Sequence, residues 1–138
     1  MSPACFGFPG YQDNKLIINV RSETAAEKKT FADSLRDRRV ILSASGFYEW
    51  SHHDKEKTKY LFNLPTMQAI NLCGIYKLVD GAYRFVILTR PANESVIEVH
   101  DCMPVIVGEK EVWPYLIHRN AAAEILATAS PMLLRKPA

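Results

Sequence analysis

The chain has 138 residues, of which 48% are hydrophobic and 23% charged. These fractions are typical of soluble globular proteins and exclude wholesale disorder, collagen-like repeats and a coiled coil. Lysine and arginine total 17 against 15 acidic residues, so the formal net charge of +2 is weak and a polyanion would have to bind through a local patch. This length predicts a single domain over 1–138.

The cysteine content is odd and sparse, with Cys5, Cys73 and Cys102. Such a set argues against a disulfide framework and favours a reducing compartment. No CxxC pair is present, so we expect no zinc site and no other metal. The start of the chain lacks a secretory signal pattern and the apolar runs are only strand-length, so we expect a cytoplasmic protein without a membrane segment.

In the first half of the chain, residues 15–20 form an apolar, β-branched run that predicts a strand. Thr24 stands three residues before Glu27, which predicts a capping box and a helix to about Arg36. Further strands are predicted over 39–43, 47–52, 59–64 and 69–78.

In the second half, Asp80-Gly81 predicts a tight hairpin leading into a strand over 83–89. A strand over 103–107 and helices over 109–118 and 120–128 follow, and the tail from about Ser130 is expected to fray. The predicted fold class is α+β: a strand-rich domain of mostly antiparallel strands with flanking helices.

The first candidate segment for chemistry is residues 19–24, where Asn19 and Arg21 end a predicted strand just before a helix. Free N–H groups at a helix start favour anions. The more common interpretation is an ordinary strand-to-helix turn with solvated charges.

The second segment is residues 46–50, which read GFYEW. In a strand, Phe47 and Glu49 share one face, and Tyr48 and Trp50 share the other. If Phe47 faces the core, Glu49 is partly desolvated and suited to acid–base chemistry. If Trp50 faces the core, Glu49 is an ordinary surface charge. Alternation does not separate the two interpretations.

The third segment is His100-Asp101-Cys102, just before an apolar strand. Histidine titrates near neutrality, but neighbours in an extended chain point to opposite faces, so neither Asp101 nor Cys102 is an obvious partner for His100. A thiol hydrolase using Cys102 and His100 therefore ranks last among the hypotheses. The segment 52–54 (HHD) is interpreted as a solvated loop tip without metal-ligand spacing.

Together, the segments NVRSETAAEKKTF, SGFYEW and TRPANESVIEVHDCMPVIV resemble the SOS-response-associated peptidase (SRAP) family. The family patterns are N-A-R-x-E-T, G-F-[YF]-E-W and H-D-R-[MR]-P, in this order and spacing. The similarity runs from about Gly7 to about Leu116, most of the chain. It implies a SRAP-like α+β fold.

The resemblance also implies an activity in the DNA damage response. SRAP members guard abasic sites in single-stranded DNA, using a cysteine exposed at the N-terminus by autoproteolytic (peptidase) removal of methionine. The α-amine attacks the open-chain sugar aldehyde to give a Schiff base, and the thiol closes a thiazolidine, a covalent DNA–protein crosslink. The implied partner is abasic single-stranded DNA, with lyase chemistry, no cofactor, a monomeric state and association with the nucleoid.

By similarity, the catalytic residues are Asn19, Glu49 and His100. Glu49 would move protons during Schiff-base formation and methionine removal, His100 would transfer protons and hold the opened sugar, and Asn19 would position the reacting group. The DNA-binding residues by similarity are Arg21 for backbone phosphate, Thr89 lining the pocket and Tyr11 beside the bases, a role suited to stacking.

The sequence departs from the family pattern at its start, which is Met-Ser-Pro-Ala-Cys instead of Met-Cys-Gly-Arg. Cys5 does not match the terminal nucleophile, so the chain is expected to be incomplete at its N-terminus and impaired in crosslinking. The family's DNA-contacting arginine after His-Asp is Cys102 here. The alternative function is a non-catalytic module that binds single-stranded DNA or a protein.

Overall fold

The computed structural model describes residues 4–10, 15–51, 55–128 and 130–138. Tyr11 and the segment 52–54, both singled out in the sequence, lie outside the described residues. The elements of the first half are β1 Cys5–Phe6, β2 Phe8–Pro9, β3 Leu16–Ile17, β4 Asn19–Arg21, α1 Ser22–Glu27, α2 Lys29–Asp37, β5 Arg39–Ala44 and β6 Phe47–Trp50. Those of the second half are β7 Lys59–Asn63, β8 Ile70–Val79, β9 Ala82–Pro91, β10 Cys102–Pro104, β11 Ile106–Val107, α3 Glu109–Ile117, α4 Arg119–Ala127 and β12 Leu134–Pro137.

Most of the strands belong to one large sheet, formed by β1, β4, β5 and β8–β11. The long β8–β9 hairpin is its centre; β5 and β11 pair with β8, and β1, β4 and β10 pair with β9. A small sheet has the order β12-β7-β6, and β2 pairs with β3. Among the described pairings, β1 and β4 run parallel to β9 and the rest are antiparallel, so the predicted fold class is confirmed.

The Asp80-Gly81 hairpin forms as predicted. Both residues have positive φ, 49° for Asp80 and 82° for Gly81. Two consecutive positive φ values are the requirement of a type I′ turn, whose twist matches that of the flanking strands. The turn aligns Val79 with Ala82 and so fixes the register of the whole β8–β9 ladder.

Two apolar cores lie on opposite faces of the large sheet, because successive side chains of a strand alternate between faces. On β9, Val86 and Leu88 pack toward the helices, where they meet Phe31 and Tyr115. Ile87 packs toward the small sheet. The core on that side includes Phe62, Ile70, Leu72, Met103 and Leu133.

The helix side also contains a buried polar network. The hydroxyl of Tyr115 donates to the carbonyl of Gly74 (2.8 Å), and the Arg39 side chain donates to the carbonyls of Tyr115 (2.5 Å) and Leu35 (2.9 Å). Burial raises the pKa of Tyr115 well above its usual value. The Tyr115 hydroxyl and the Arg39 guanidinium are buried donors, and both have acceptors. Their hydrogen bonds therefore connect α3 to the sheet without the cost of an unsatisfied polar group.

The predicted capping box at Thr24 and Glu27 is wrong. The helical region begins at Ser22, because β4 pairs with β9 up to Arg21 and the helix follows directly. Thr24 therefore lies inside α1, where its carbonyl accepts the N–H of Lys28 (3.0 Å). Lys28 has extended backbone angles (φ −92°, ψ 126°), so the predicted single helix is divided into α1 and α2.

The tail from Ser130, expected to fray, contains β12. This strand pairs with β7 from Leu134 opposite Asn63 to Pro137 opposite Tyr60. The pairing gives partners to backbone groups on the β7 edge that would otherwise face solvent. No helix among the described residues has the length and apolar character needed to cross a membrane.

Candidate functional site

The orientation of Glu49 is decided by the small sheet. Phe47 pairs with the buried Phe62, and their rings stack with centroids 5.2 Å apart. Glu49 lies on the same face, opposite Tyr60, with 27% of its side chain exposed. Trp50 is 54% exposed on the other face. The interpretation with Phe47 toward the core is therefore correct, and the one with Trp50 in the core is wrong.

Gly46 permits the close approach of β6 and β7 beside Glu49. A Cβ at this position would lie 2.5 Å from the carbonyl oxygen of Phe62, which is backbone and has little freedom to move. A glycine is therefore required sterically at the start of the GFYEW segment, because a side chain there would keep the strand of Glu49 from lying against β7.

His100 brings an imidazole to this carboxylate. Its Nε2 lies 3.7 Å from Oε1 of Glu49, and the two side chains are 21% and 27% exposed. Its Nδ1 lies 3.1 Å from both the backbone N–H and the carbonyl oxygen of Cys102. In one neutral tautomer Nδ1 donates to the Cys102 carbonyl; in the other it accepts the Cys102 N–H, and the ring proton then lies on Nε2, facing Glu49. The arrangement allows a proton to move between the imidazole, the carboxylate and a substrate group.

Three further candidates, Asn19, Arg21 and Thr89, lie on one face of the large sheet. Arg21 pairs with Thr89 and Asn19 pairs with Ile87, which packs toward the small sheet. Paired residues share a face, and so do residues two apart in a strand. Asn19, Arg21 and Thr89 are therefore on the side of the large sheet that faces the strand of Glu49.

Arg21 and Cys102 are in contact at the edge of this site. Electrostatic interaction and a hydrogen bond with the Cys102 side chain raise the pKa of the half-exposed Arg21 guanidinium above its usual value, with a smaller contribution from Glu23, whose Oε1 is 3.5 Å from Arg21 Nη1. His100 faces Glu49 with Nε2, and its Nδ1 faces the backbone of Cys102. This geometry favours a Glu49–His100 pair over the thiol hydrolase hypothesis, in which His100 would serve the Cys102 thiol.

Comparison with known proteins decides the family. The sequence matches the family described as SOS response associated peptidase (SRAP) over residues 3–136. The chain belongs to the SRAP family. Its relatives include the abasic site processing protein YoqW of Bacillus subtilis, 31% identical over 86% of this chain and 57% of the relative. The abasic site processing protein YedK of Escherichia coli is 27% identical over 93% of this chain and 61% of the relative. The SRAP chain spans about three-fifths of the length of these curated relatives.

Solved structures show the same fold. A phage-related protein from Bordetella bronchiseptica superposes with a TM-score of 0.79 at 21% identity, covering 98% of this SRAP chain and 70% of its own. A protein from Bacteroides thetaiotaomicron superposes with a TM-score of 0.75 at 23% identity, covering 86% and 57%. At these identities the similarity establishes the architecture only.

Sequence reasoning missed Asn93, which supports the loop carrying His100 in this SRAP chain. Its Oδ1 accepts hydrogen bonds from the N–H (3.0 Å) and hydroxyl (2.5 Å) of Ser95. Its Nδ2 donates to the carbonyls of Ser130 (3.2 Å) and Pro131 (2.9 Å). The Asn-x-Ser spacing, typical of an Asx turn, is the signal that could have identified it.

The remaining cysteines lie away from the Glu49–His100 pair. Cys5 pairs with Arg84, five register positions along β9 from Thr89, or roughly 16 Å at ~3.3 Å per residue. Cys73 is buried in the helix-side core, where desolvation raises the pKa of its thiol far above the usual value. Neither thiol is positioned for chemistry at the pair.

Proposed function

We propose that this SRAP chain acts on abasic sites in single-stranded DNA and that the opened sugar binds at Glu49 and His100. The single observation that carries the proposal is the half-buried pair itself, with Nε2 and Oε1 3.7 Å apart. The names of the relatives, abasic site processing proteins, give the substrate class.

The chemistry of an opened abasic sugar suits this pair. Its aldehyde reacts with an amine to give a carbinolamine, which loses water to form an imine. The amine nitrogen must give up protons, and the departing hydroxyl must gain one. A carboxylate and an imidazole within a few ångströms supply both transfers. Glu49 is the proposed proton acceptor and His100 the proposed donor through Nε2.

The neighbouring face of the large sheet is the proposed position of the DNA backbone. Arg21, with 48% of its side chain exposed, offers a guanidinium to a phosphate. Asn19 and Thr89 share its face and offer an amide and a hydroxyl to the sugar. Tyr11 remains a proposed contact to a base.

We expect this chain to process abasic strands but not to form a permanent crosslink with them. Among the described residues, Cys5 and Cys73 lie away from the pair and Cys102 contacts Arg21. A thiazolidine requires an amine and a thiol on one residue at the sugar. We therefore expect another amine of this chain, the α-amine or a lysine Nζ, to condense with the aldehyde and form a transient imine with loss of water. Loss of the C2′ proton and of the 3′ phosphate then cleaves the strand, and hydrolysis of the imine frees the protein without a heat-stable crosslink.

The test is incubation of the chain with single-stranded DNA that carries one abasic site, followed by a denaturing gel. Cleavage or borohydride-trapped adduct should appear with this strand and not with the intact strand of the same sequence. Glu49→Gln keeps the shape of the side chain but removes its basicity, and we expect it to slow processing by roughly 10²- to 10⁴-fold.

The matched control is Glu124→Gln. Glu124 is an exposed carboxylate on α4, on the helix side, and its removal should leave processing unchanged. Equal rates for Glu49→Gln and the unmodified chain would refute the proposed site. A heat-stable band that appears without borohydride would refute the expected loss of crosslinking.

A further inference from the structure

The outer face of the small sheet carries exposed aromatic side chains. Tyr48 and Trp50 are 58% and 54% exposed, and they lie on the opposite face of β6 from Glu49. The outer face, as the pairing defines it, consists of Tyr48, Trp50, Lys59, Leu61, Asn63, Leu134 and Lys136. Large aromatic side chains are usually buried, so two on one exposed sheet face indicate a binding surface.

A lysine side chain lies close to both rings. The Nζ of Lys59 is 4.3 Å from the ring centroid of Tyr48 and 5.7 Å from that of Trp50. Both distances are within the range of a cation–π interaction. Lys59 is directly opposite Trp50 in the β6–β7 ladder, so the cluster is held by strand pairing.

The charge of this face is positive. The charged side chains that the register places on it, within the described residues, are Lys59 and Lys136. Rings that stack on bases, next to cations that meet phosphates, are the usual means of binding single-stranded nucleic acid without sequence preference. A protein partner would not require that combination.

The face is also adjacent to the candidate site. In the described part of the chain β6 has a strand partner, β7, on one side only, so its other edge is the edge of the small sheet. Glu49 stands between Tyr48 and Trp50 in the sequence of this edge strand. The two faces are separated by the width of one strand, β6. A DNA strand with its abasic residue at Glu49 can therefore cross the edge of β6 and place its next bases on the outer face.

We propose that Tyr48, Trp50 and Lys59 form a stacking surface for the unpaired bases that flank the abasic site. This inference rests on the proposed function, because it takes single-stranded DNA as the substrate. It adds a second contact region, on the face of β6 opposite the proton-transfer pair, that holds normal nucleotides by their rings and phosphates.

Tryptophan fluorescence tests the surface directly, since the chain contains only Trp50 and Trp113. Trp113 is 68% exposed on α3, on the helix side. The Trp113→Phe variant has Trp50 as its single tryptophan and reports on the outer face. The Trp50→Phe variant has Trp113 as its single tryptophan and is the matched control. Titration with a short single-stranded oligothymidylate should quench Trp50 saturably. It should leave Trp113 unchanged, and a duplex should quench neither.

Affinity measurements give the second readout. Tyr48→Ala and Trp50→Ala should each weaken binding of the same oligothymidylate by roughly 5- to 150-fold. Lys59→Ala should reduce the log–log salt slope by about 0.7, whereas Lys110→Ala, on exposed α3, should not.

The outcomes separate this inference from the proposed function. If intact strands quench Trp50 but abasic strands are not processed, the function is wrong and the surface stands. If abasic strands are processed while Trp50 gives no signal and the alanine variants bind normally, the surface is wrong. Quenching that follows protein concentration instead of DNA would show self-association through this face and would also overturn the inference.

Discussion

Both sides of the large sheet bury side chains of the same strands, but they differ in how far their polar side chains are buried. On the helix side, Tyr115 is fully buried and its hydroxyl is hydrogen-bonded to the sheet. On the side facing the small sheet, Glu49 and His100 remain about one-quarter exposed and face each other. The difference indicates that the helix side stabilises the fold, while the incompletely closed side has the groups that can meet a substrate.

The largest expected effect on stability is on the helix side. Ile75 is fully buried there, so Ile75→Ala should lower the free energy of unfolding by about 2–5 kcal/mol, because it removes buried methylenes and leaves a cavity. Chemical denaturation measures this loss. Leu78→Ala, exposed on the same strand, is the control and should change stability little.

Abasic-strand processing sharpens this test. If the helix side has a purely structural role, Ile75→Ala protein that is still folded at low temperature should process DNA at the unmodified rate. A rate that falls at constant folded fraction would show that the two sides are coupled and would contradict the comparison.

An intermediate effect is expected at Asn93, on the side of the small sheet. Asn93→Ala leaves the carbonyls of Ser130 and Pro131 without their amide donor and should cost about 1–3 kcal/mol of unfolding free energy. Because the same residue shapes the loop before His100, processing should also fall at full folding. Asn120→Ala, exposed on α4, should affect neither property.

Thermal denaturation and the abasic-strand assay, performed on the same samples, measure both effects. Asn93→Ala that loses stability but keeps its full rate would show that the loop holds His100 by other contacts. In that case the support of the site would lie in the backbone of the segment and not in the Asn93 side chain.

The smallest effect is expected at the exposed end of the helix layer. Hydrogen bonds from Arg36 and then Arg119 lower the pKa of Asp37, whose Oδ1 is 2.6 Å from Arg119 Nη2. A lowered native pKa means that the contact stabilises the fold above the usual aspartate pKa of ~3.9 and is lost as the pH falls through the native value. Asp37→Asn should therefore reduce stability slightly near neutral pH.

The pH dependence is the measurement that identifies this contact. Unfolding midpoints of Asp37→Asn and the unmodified chain should converge as the pH drops below about 4. Since both partners are exposed, added salt should also reduce the difference. A difference in unfolding midpoint that stays constant with pH would show that the substitution acts through packing or helix propensity.

Local patterns predicted much of the fold. The Asp80-Gly81 turn and the long apolar runs of β8 and β9 were identified because a turn or a strand depends on neighbouring residues. The boundary at Ser22 was missed because the pairing of β4 with β9 determines where the helix can begin. The strand at Leu134–Pro137 was missed for a similar reason, since its stability comes from β7, distant in sequence.

The site was predicted in parts but not in its arrangement. Alternation placed Phe47 and Glu49 on one face without saying which face is buried, because Tyr48 and Trp50 are equally apolar. The meeting of Glu49 with His100 depends on the packing of β6 against a loop from the other sheet. No local pattern encodes such a contact, and the role of Asn93 depends on carbonyls near the C-terminus in the same way.

The contacts of Asn93 have a consequence for shortened versions of the chain. The backbone N–H of Leu133 donates to Ser95 (3.0 Å), and Arg135 forms an ion pair with Glu98 (2.8 Å). The last residues thus touch the segment before His100 at several points while β12 covers β7. Deleting 130–138 would remove these supports together, so a trimmed protein intended for crystallisation or binding studies should extend at least to Pro137.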